Sequence, residues 1–157
     1  MMKRKYLIFG FLILFAGLTS CQSLFDQIDD MFNKNKTSII PAAYDGRPVK
    51  VLGDIHISAK EVTFYVWDSG QIDGDIITLV FNDKVIIPKS TLRGPSDKMS
   101  ASVTMTKGYN YVLLFAHNEG SIPPNTAALS FNDGTGEKNL VLSADLQTNG
   151  AYNIILD

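Results

Sequence analysis

The residues best placed to do chemistry sit together in Asp68-Ser69-Gly70-Gln71-Ile72-Asp73-Gly74-Asp75. Carboxylate oxygens are hard ligands. Calcium takes roughly six to eight oxygens, and Asp68, Asp73 and Asp75 in one loop can supply some of them. The spacing is not that of an EF-hand loop, because the alternating acidic ligands and the closing Glu are missing. Aspartates in turns also accept hydrogen bonds from nearby backbone amides. That structural role is the expected one for Asp68 and Asp73, with calcium on Asp68, Asp73 and Asp75 as the alternative. A third use would be acid and base work on a glycoside, which needs two carboxyl groups about 5–9.5 Å apart across a cleft.

A second cluster is His117-Asn118-Glu119-Gly120-Ser121-Ile122-Pro123-Pro124-Asn125-Thr126. Its two prolines fix the backbone and hold Ile122 extended, while Gly120 allows a positive φ. The expected role is a stiff crossover between strands, with Asn125 in an Asx turn. His117 has the chemistry of a general base, but no candidate nucleophile stands beside it, and His56 is no better placed. The chain has two histidines, one cysteine and no Gly-x-Ser-x-Gly, so no catalytic set assembles from the sequence and a non-enzymatic protein is expected. The aromatic pairs Tyr65 with Trp67 and Tyr109 with Tyr111 could stack on sugar rings or a peptide. Placement in the core is the expected outcome for them, since strands favour aromatics and a sandwich core needs large side chains.

The elements that position these residues begin after a distinct N-terminus. Lys3-Arg4-Lys5 precedes a largely apolar run from Tyr6 to Leu18, which is the layout of a secretory signal. The run is too short for a membrane span, which needs about 20 apolar residues. It ends in Leu18-Thr19-Ser20-Cys21, which resembles the lipobox of bacterial lipoproteins. That resemblance implies a signal peptide over 1–20 and acyl chains on Cys21. One chain anchors only marginally, and two or more anchor stably. Removal of Lys3, Arg4 and Lys5 takes the net charge from −2 to −5, so the mature chain carries no basic footprint for nucleic acid. The single cysteine excludes an intramolecular disulfide and a Cys-rich zinc site.

Residues 21–48 read as the lipidated N-terminus and a tether. Leu24, Ile28, Met31 and Phe32 fall at helical spacing, predicting one short amphipathic helix over Leu24–Asn35 or a frayed segment. Lys34–Pro48 reads as linker. From residue 49 to 157 the pattern turns to period two. Val62, Phe64 and Val66 share one face, Ile77, Leu79 and Phe81 another, and Ala101, Val103 and Met105 alternate with polar residues. Asn82-Asp83 and Asn132-Asp133-Gly134 mark turns. Tyr109–Ala116 is apolar on both faces, as a central strand would be. About eight short strands separated by Gly, Asn, Asp and Pro predict an all-β antiparallel sandwich. A hydrophobic content of 45% with 19% charge suits a folded domain and excludes a disordered one.

The stretch Val62–Leu156 is similar to a secreted module that recurs in bacterial exported proteins. The resemblance rests on Asp73-Gly74-Asp75, the hairpin at Asn82-Asp83-Lys84, Ala116-His117-Asn118, Gly120-Ser121-Ile122-Pro123-Pro124-Asn125-Thr126-Ala127 and Ser143-Ala144-Asp145-Leu146. Where Asn-Gly would be expected, this chain has Asn82-Asp83. The module has no agreed activity to carry over. Lipobox and module together imply a binding or scaffolding domain in the bacterial cell envelope, on the outer membrane and facing the periplasm or the exterior. Its expected partners are the membrane, through lipid on Cys21, and an envelope protein or polysaccharide. The other readings are a glycan-active hydrolase using loop carboxylates, and a purely structural subunit of an envelope complex, which an exposed apolar patch would mark.

Overall fold

Alternating apolar residues need a partner layer, and the chain supplies it by folding two sheets onto one core. The computed structural model describes residues 38–157. The signal segment, Cys21 and the helix expected over Leu24–Asn35 lie outside the described residues. Within them are ten strands and no helix: β1 (Ala43–Tyr44), β2 (Arg47–Ile57), β3 (Glu61–Asp68), β4 (Ile76–Phe81), β5 (Lys84–Thr91), β6 (Met99–Thr104), β7 (Gly108–Ala116), β8 (Asn125–Asn132), β9 (Glu137–Ala144) and β10 (Asn149–Leu156). One sheet runs β1-β2-β10-β7-β4-β5 and the other β6-β3-β8-β9. Every pairing is antiparallel except β2 with β10, which is parallel. The fold is a β-sandwich, with two strands more than the alternation alone suggests.

The period-two faces land as their spacing requires. Val62, Phe64 and Val66 of β3 meet Ile77, Leu79 and Phe81 of β4 and Val112, Leu114 and Ala116 of β7 in one buried cluster. Phe64 stands edge-on to Phe131 with ring centroids 5.3 Å apart. Such a fully buried side chain contributes about 1.5–3 kcal/mol relative to an exposed one. The turn at Asn82-Asp83 places both residues at positive φ, 45° and 64°, as a two-residue hairpin demands. Side chains make up for the missing glycine. The Asn82 amide donates to Asn110 Oδ1 at 2.9 Å, and the buried Tyr111 hydroxyl donates to Asp83 Oδ1 at 2.7 Å.

Strand β7 is buried on both faces because the large sheet has a second, smaller cluster on its outer side. Tyr111, Leu113 and Phe115 join Val80 and Ala151 there, and Ile39, Ile40, Tyr44 and Val49 pack over them. Ser38 Oγ donates to Asn153 Oδ1 at 2.7 Å, so this segment is pinned across the sheet. The linker expected over Lys34–Pro48 therefore ends earlier: its described part, from Ser38 onward, is a cover and an edge strand. Its apolar residues are too few and too irregular to show a period, which hides the role in the sequence.

The aromatic expectation also needs correction. Tyr65 is 45% exposed, and Trp67 lies half-buried beneath the Lys98 ammonium, 3.9 Å from the ring centroid. Both alternate with Phe64 and so point out of the small sheet, whose outer face has no covering layer among the described residues. Of the other pair, Tyr111 is buried and Tyr109 half-buried.

Candidate metal centre

The loops β3–β4 and β7–β8 both cross from one sheet to the other, and they do so at the same end of the sandwich. This brings the two clusters singled out in the sequence into contact. Asp68 closes β3, paired opposite Ala127 of β8, and Asp75 immediately precedes β4. Backbone bonds hold the loop ends: Asp68 N–H donates to the Arg93 carbonyl, Leu92 N–H to the Asp75 carbonyl, and Ser69 N–H to the Thr126 carbonyl. Asn118 bridges the two loops by accepting from Ile76 N–H at 2.6 Å and donating to the Gly74 carbonyl at 2.9 Å.

Part of the acidic cluster behaves as loop aspartates ordinarily do. Asp68 Oδ1 accepts from Gly70 N–H at 2.9 Å. Asp73 Oδ2 accepts from Ser121 N–H at 2.7 Å and from Ile122 N–H at 2.6 Å. These amides converge on one oxygen because Gly120 takes φ +56°, a left-handed conformation, and a Cβ there would collide with the Asp73 carboxylate. The following Pro123-Pro124 peptide is cis.

The rest of the cluster is not accounted for in that way. One carboxylate oxygen each from Asp68, Asp73 and Asp75 lies within 4.8 Å of the other two. Asp68 and Asp75 are only 4% and 3% exposed, yet Asp68 Oδ2 and Asp75 Oδ1 are buried with no hydrogen-bond partner. A buried polar atom left unpaired costs about 1–3 kcal/mol, and more when it carries charge. The Asp75 carboxyl is accordingly pushed up to about 6, first by its burial and then by the neighbouring Asp73 and Asp68 charges. A depression of about 250 Å³ opens over the cluster, walled by Gln71, Ile122, Pro123, Pro124 and Thr126. No Lys, Arg or His lines it among the described residues. Three acidic groups converge on this depression, and its walls among the described residues supply no cationic side chain.

The histidines sit elsewhere. His56 Nδ1 lies 2.8 Å from Asp157 Oδ1 on the surface. His117 lines a separate recess of about 510 Å³ on the outer face of the large sheet, with Tyr44, Phe115, Thr78 and Lys89. Its Nε2 is hydrogen-bonded to Thr78 Oγ1 at 2.8 Å, and its ring stands edge-on to Phe115 at 4.9 Å. Burial, then the Lys89 and Arg47 charges, hold its pKa below the usual histidine value, so the ring is neutral near pH 7. Tyr44 forms part of its wall, and the Arg47 guanidinium lies 4.4 Å from the Phe115 centroid. This grouping is not legible in the sequence, because Arg47 and His117 meet only through the pairing of distant strands.

Comparison of the chain with protein-family models, with curated protein sequences and with solved structures finds no match.

Proposed function

We propose that this protein is a lipid-anchored β-sandwich that serves as a non-enzymatic binding or scaffolding module in the bacterial cell envelope. The observation that carries the reading is the position of the only cysteine, Cys21. It directly follows Leu18-Thr19-Ser20, a basic N-terminus and an apolar run too short to span a bilayer. The geometry of the acidic cluster favours binding over hydrolysis. Asp68 Oδ1 and Asp73 Oδ2 are already taken by the Gly70, Ser121 and Ile122 amides. Two of the three aspartates are also too deeply buried to reach a sugar. The recess beside His117, at about 510 Å³, falls in the roughly 300–1,000 Å³ range of ligand sites and combines aromatic walls with hydrogen-bonding groups.

The anchor is tested by Cys21→Ser. The variant should take up no labelled fatty acid and should remain an unprocessed precursor or be released from membranes. A Ser variant that still incorporates label would overturn the lipoprotein reading. Binding is tested by capture of envelope components on the intact lipoprotein, with identification by mass. Components recognised through the recess should be lost with His117→Ala or Lys89→Ala and retained with changes on the far sheet.

A further inference from the structure

We propose that Asp68, Asp73 and Asp75 form a binding site for a hard divalent cation, calcium, which fastens the β3–β4 loop to the β7–β8 loop. This inference does not depend on the anchor or on the identity of any envelope partner. Two independent observations carry it. The first is the convergence of three carboxylates, each offering an oxygen within 4.8 Å of the others, on one depression at the end of the sandwich. The second is the state of the two buried members. Asp68 and Asp75 are both more than nine-tenths buried, and Asp68 Oδ2 and Asp75 Oδ1 have no hydrogen-bond partner. Four buried side-chain atoms among the described residues share that condition, and two of them belong to this one cluster. A structural turn satisfies its carboxylates, whereas a metal site leaves oxygens for the ion.

The donor chemistry selects the metal class. All three side chains offer oxygen, and no imidazole or thiolate among the described residues lines the depression, which suits calcium or magnesium rather than zinc or copper. Calcium takes roughly six to eight oxygens in flexible geometry, whereas magnesium demands a near-ideal octahedron and gives up its waters reluctantly. Three carboxylates drawn from a strand end and an irregular loop match the more permissive ion, with water completing the shell. Asp73 has a double role. Its Oδ2 accepts from Ser121 and Ile122 N–H, so an ion held by this residue also fixes the loop that carries Pro123 and Pro124.

The test uses the full chain in detergent and calcium alone as the probe. Titration calorimetry should show one site per chain. Melting temperature should rise by about 5–10 °C between chelator and calcium at 100 times the dissociation constant. Magnesium should give a smaller rise. Asp75→Asn and, separately, Asp68→Asn should abolish both the heat of binding and the rise. Asp133→Asn, which alters a buried aspartate outside the cluster, should lower the melting temperature and leave the calcium-dependent rise in place. A wild-type chain that binds no calcium in the titration overturns the proposal whatever the variants do. A rise that survives in Asp75→Asn and Asp68→Asn also overturns it, by placing the ion elsewhere.

Discussion

Two acidic turns in this domain bury aspartates to the same depth and leave them in opposite states. Asp133, in the β8–β9 turn, is 3% exposed, as is Asp75 at the start of β4. Asp133 Oδ1 accepts from Thr135 Oγ1 at 2.7 Å, Thr135 N–H at 2.8 Å and Gly136 N–H at 2.8 Å. Its Oδ2 lies 3.1 Å from the Lys138 ammonium. The Thr135 hydroxyl and amide foremost, helped by Lys138 and Gly136, hold its carboxyl well below the usual carboxylate range. The Asp75 carboxyl is instead raised to about 6, first by burial and then by two acidic neighbours, with the Thr126 backbone as its one opposing donor. Burial alone therefore does not decide what a carboxylate is for. The supply of donors does: a saturated carboxylate holds a turn together, and an undersupplied one has room for a cation.

The sharpest way to break this comparison is to remove the saturated carboxylate. Asp133→Ala should give the largest loss, a fall of upward of about 5 °C in melting temperature, because three donors lose their acceptor together. The same turn also anchors the β2–β3 connection, since the Asp133 carbonyl accepts from Ser58 and Ala59 N–H. The sign with pH follows from a depressed carboxylate. Its stabilisation is fully present above the unfolded value of about 3.9 and is lost as pH falls toward the lower folded value. Melts taken from neutral to acid pH should therefore show wild type and Asp133→Ala converging only at low pH.

A middle-sized effect is expected from Gly120→Ala. The substitution forces a side chain into φ +56° and places its Cβ against the Asp73 carboxylate. The expected cost is about 1–3 kcal/mol by denaturant melting. Because the loop that holds Asp73 is displaced, the calcium-dependent rise should shrink as well. A Gly120→Ala chain with wild-type stability and an unchanged calcium response would show that the two loops are not coupled through Asp73.

What could be read in the sequence follows the range of the interaction. Strands β3, β4, β6 and β7 were legible because period-two alternation is local, and the turns at Asn82 and Asn132 because turn chemistry is local. The Asp68–Asp75 run was legible as a group of ligands for the same reason. The pairing of Asp73 with the Ser121 and Ile122 amides was not, although both stretches stood out separately, because it is made where two loops meet across 48 residues. The parallel pairing of β2 with β10 joins opposite ends of the domain. The exposure of Tyr65 and the cover formed by Ile39, Ile40 and Tyr44 have one origin. Alternation says which residues share a face, and only the fold says which face receives a second layer.

The smallest expected effect has the opposite sign to the others and therefore tests the comparison most directly. In chelator near pH 7, Asp75→Asn should stabilise the protein, where loss of a structural carboxylate would destabilise it. A raised carboxyl binds protons more readily in the folded state than in the unfolded one, so stability falls as pH rises through the window from about 4 to 6. Above that window the wild-type chain carries the full penalty of an ionised Asp75 beside Asp68 and Asp73. The amide removes that charge, and its oxygen can still accept from the Thr126 backbone. After allowance for screening at the open side of the depression, the expected gain is about 1 kcal/mol at pH 7. It should vanish below about pH 3, where Asp75 is protonated in both states. In saturating calcium the order should reverse, because wild type then gains the ion and Asp75→Asn does not. Denaturant melts at the two pH values, each with chelator and with calcium, separate these outcomes. An Asp75→Asn chain that is less stable than wild type in chelator at pH 7 would place Asp75 with Asp133, as a carboxylate that holds its turn.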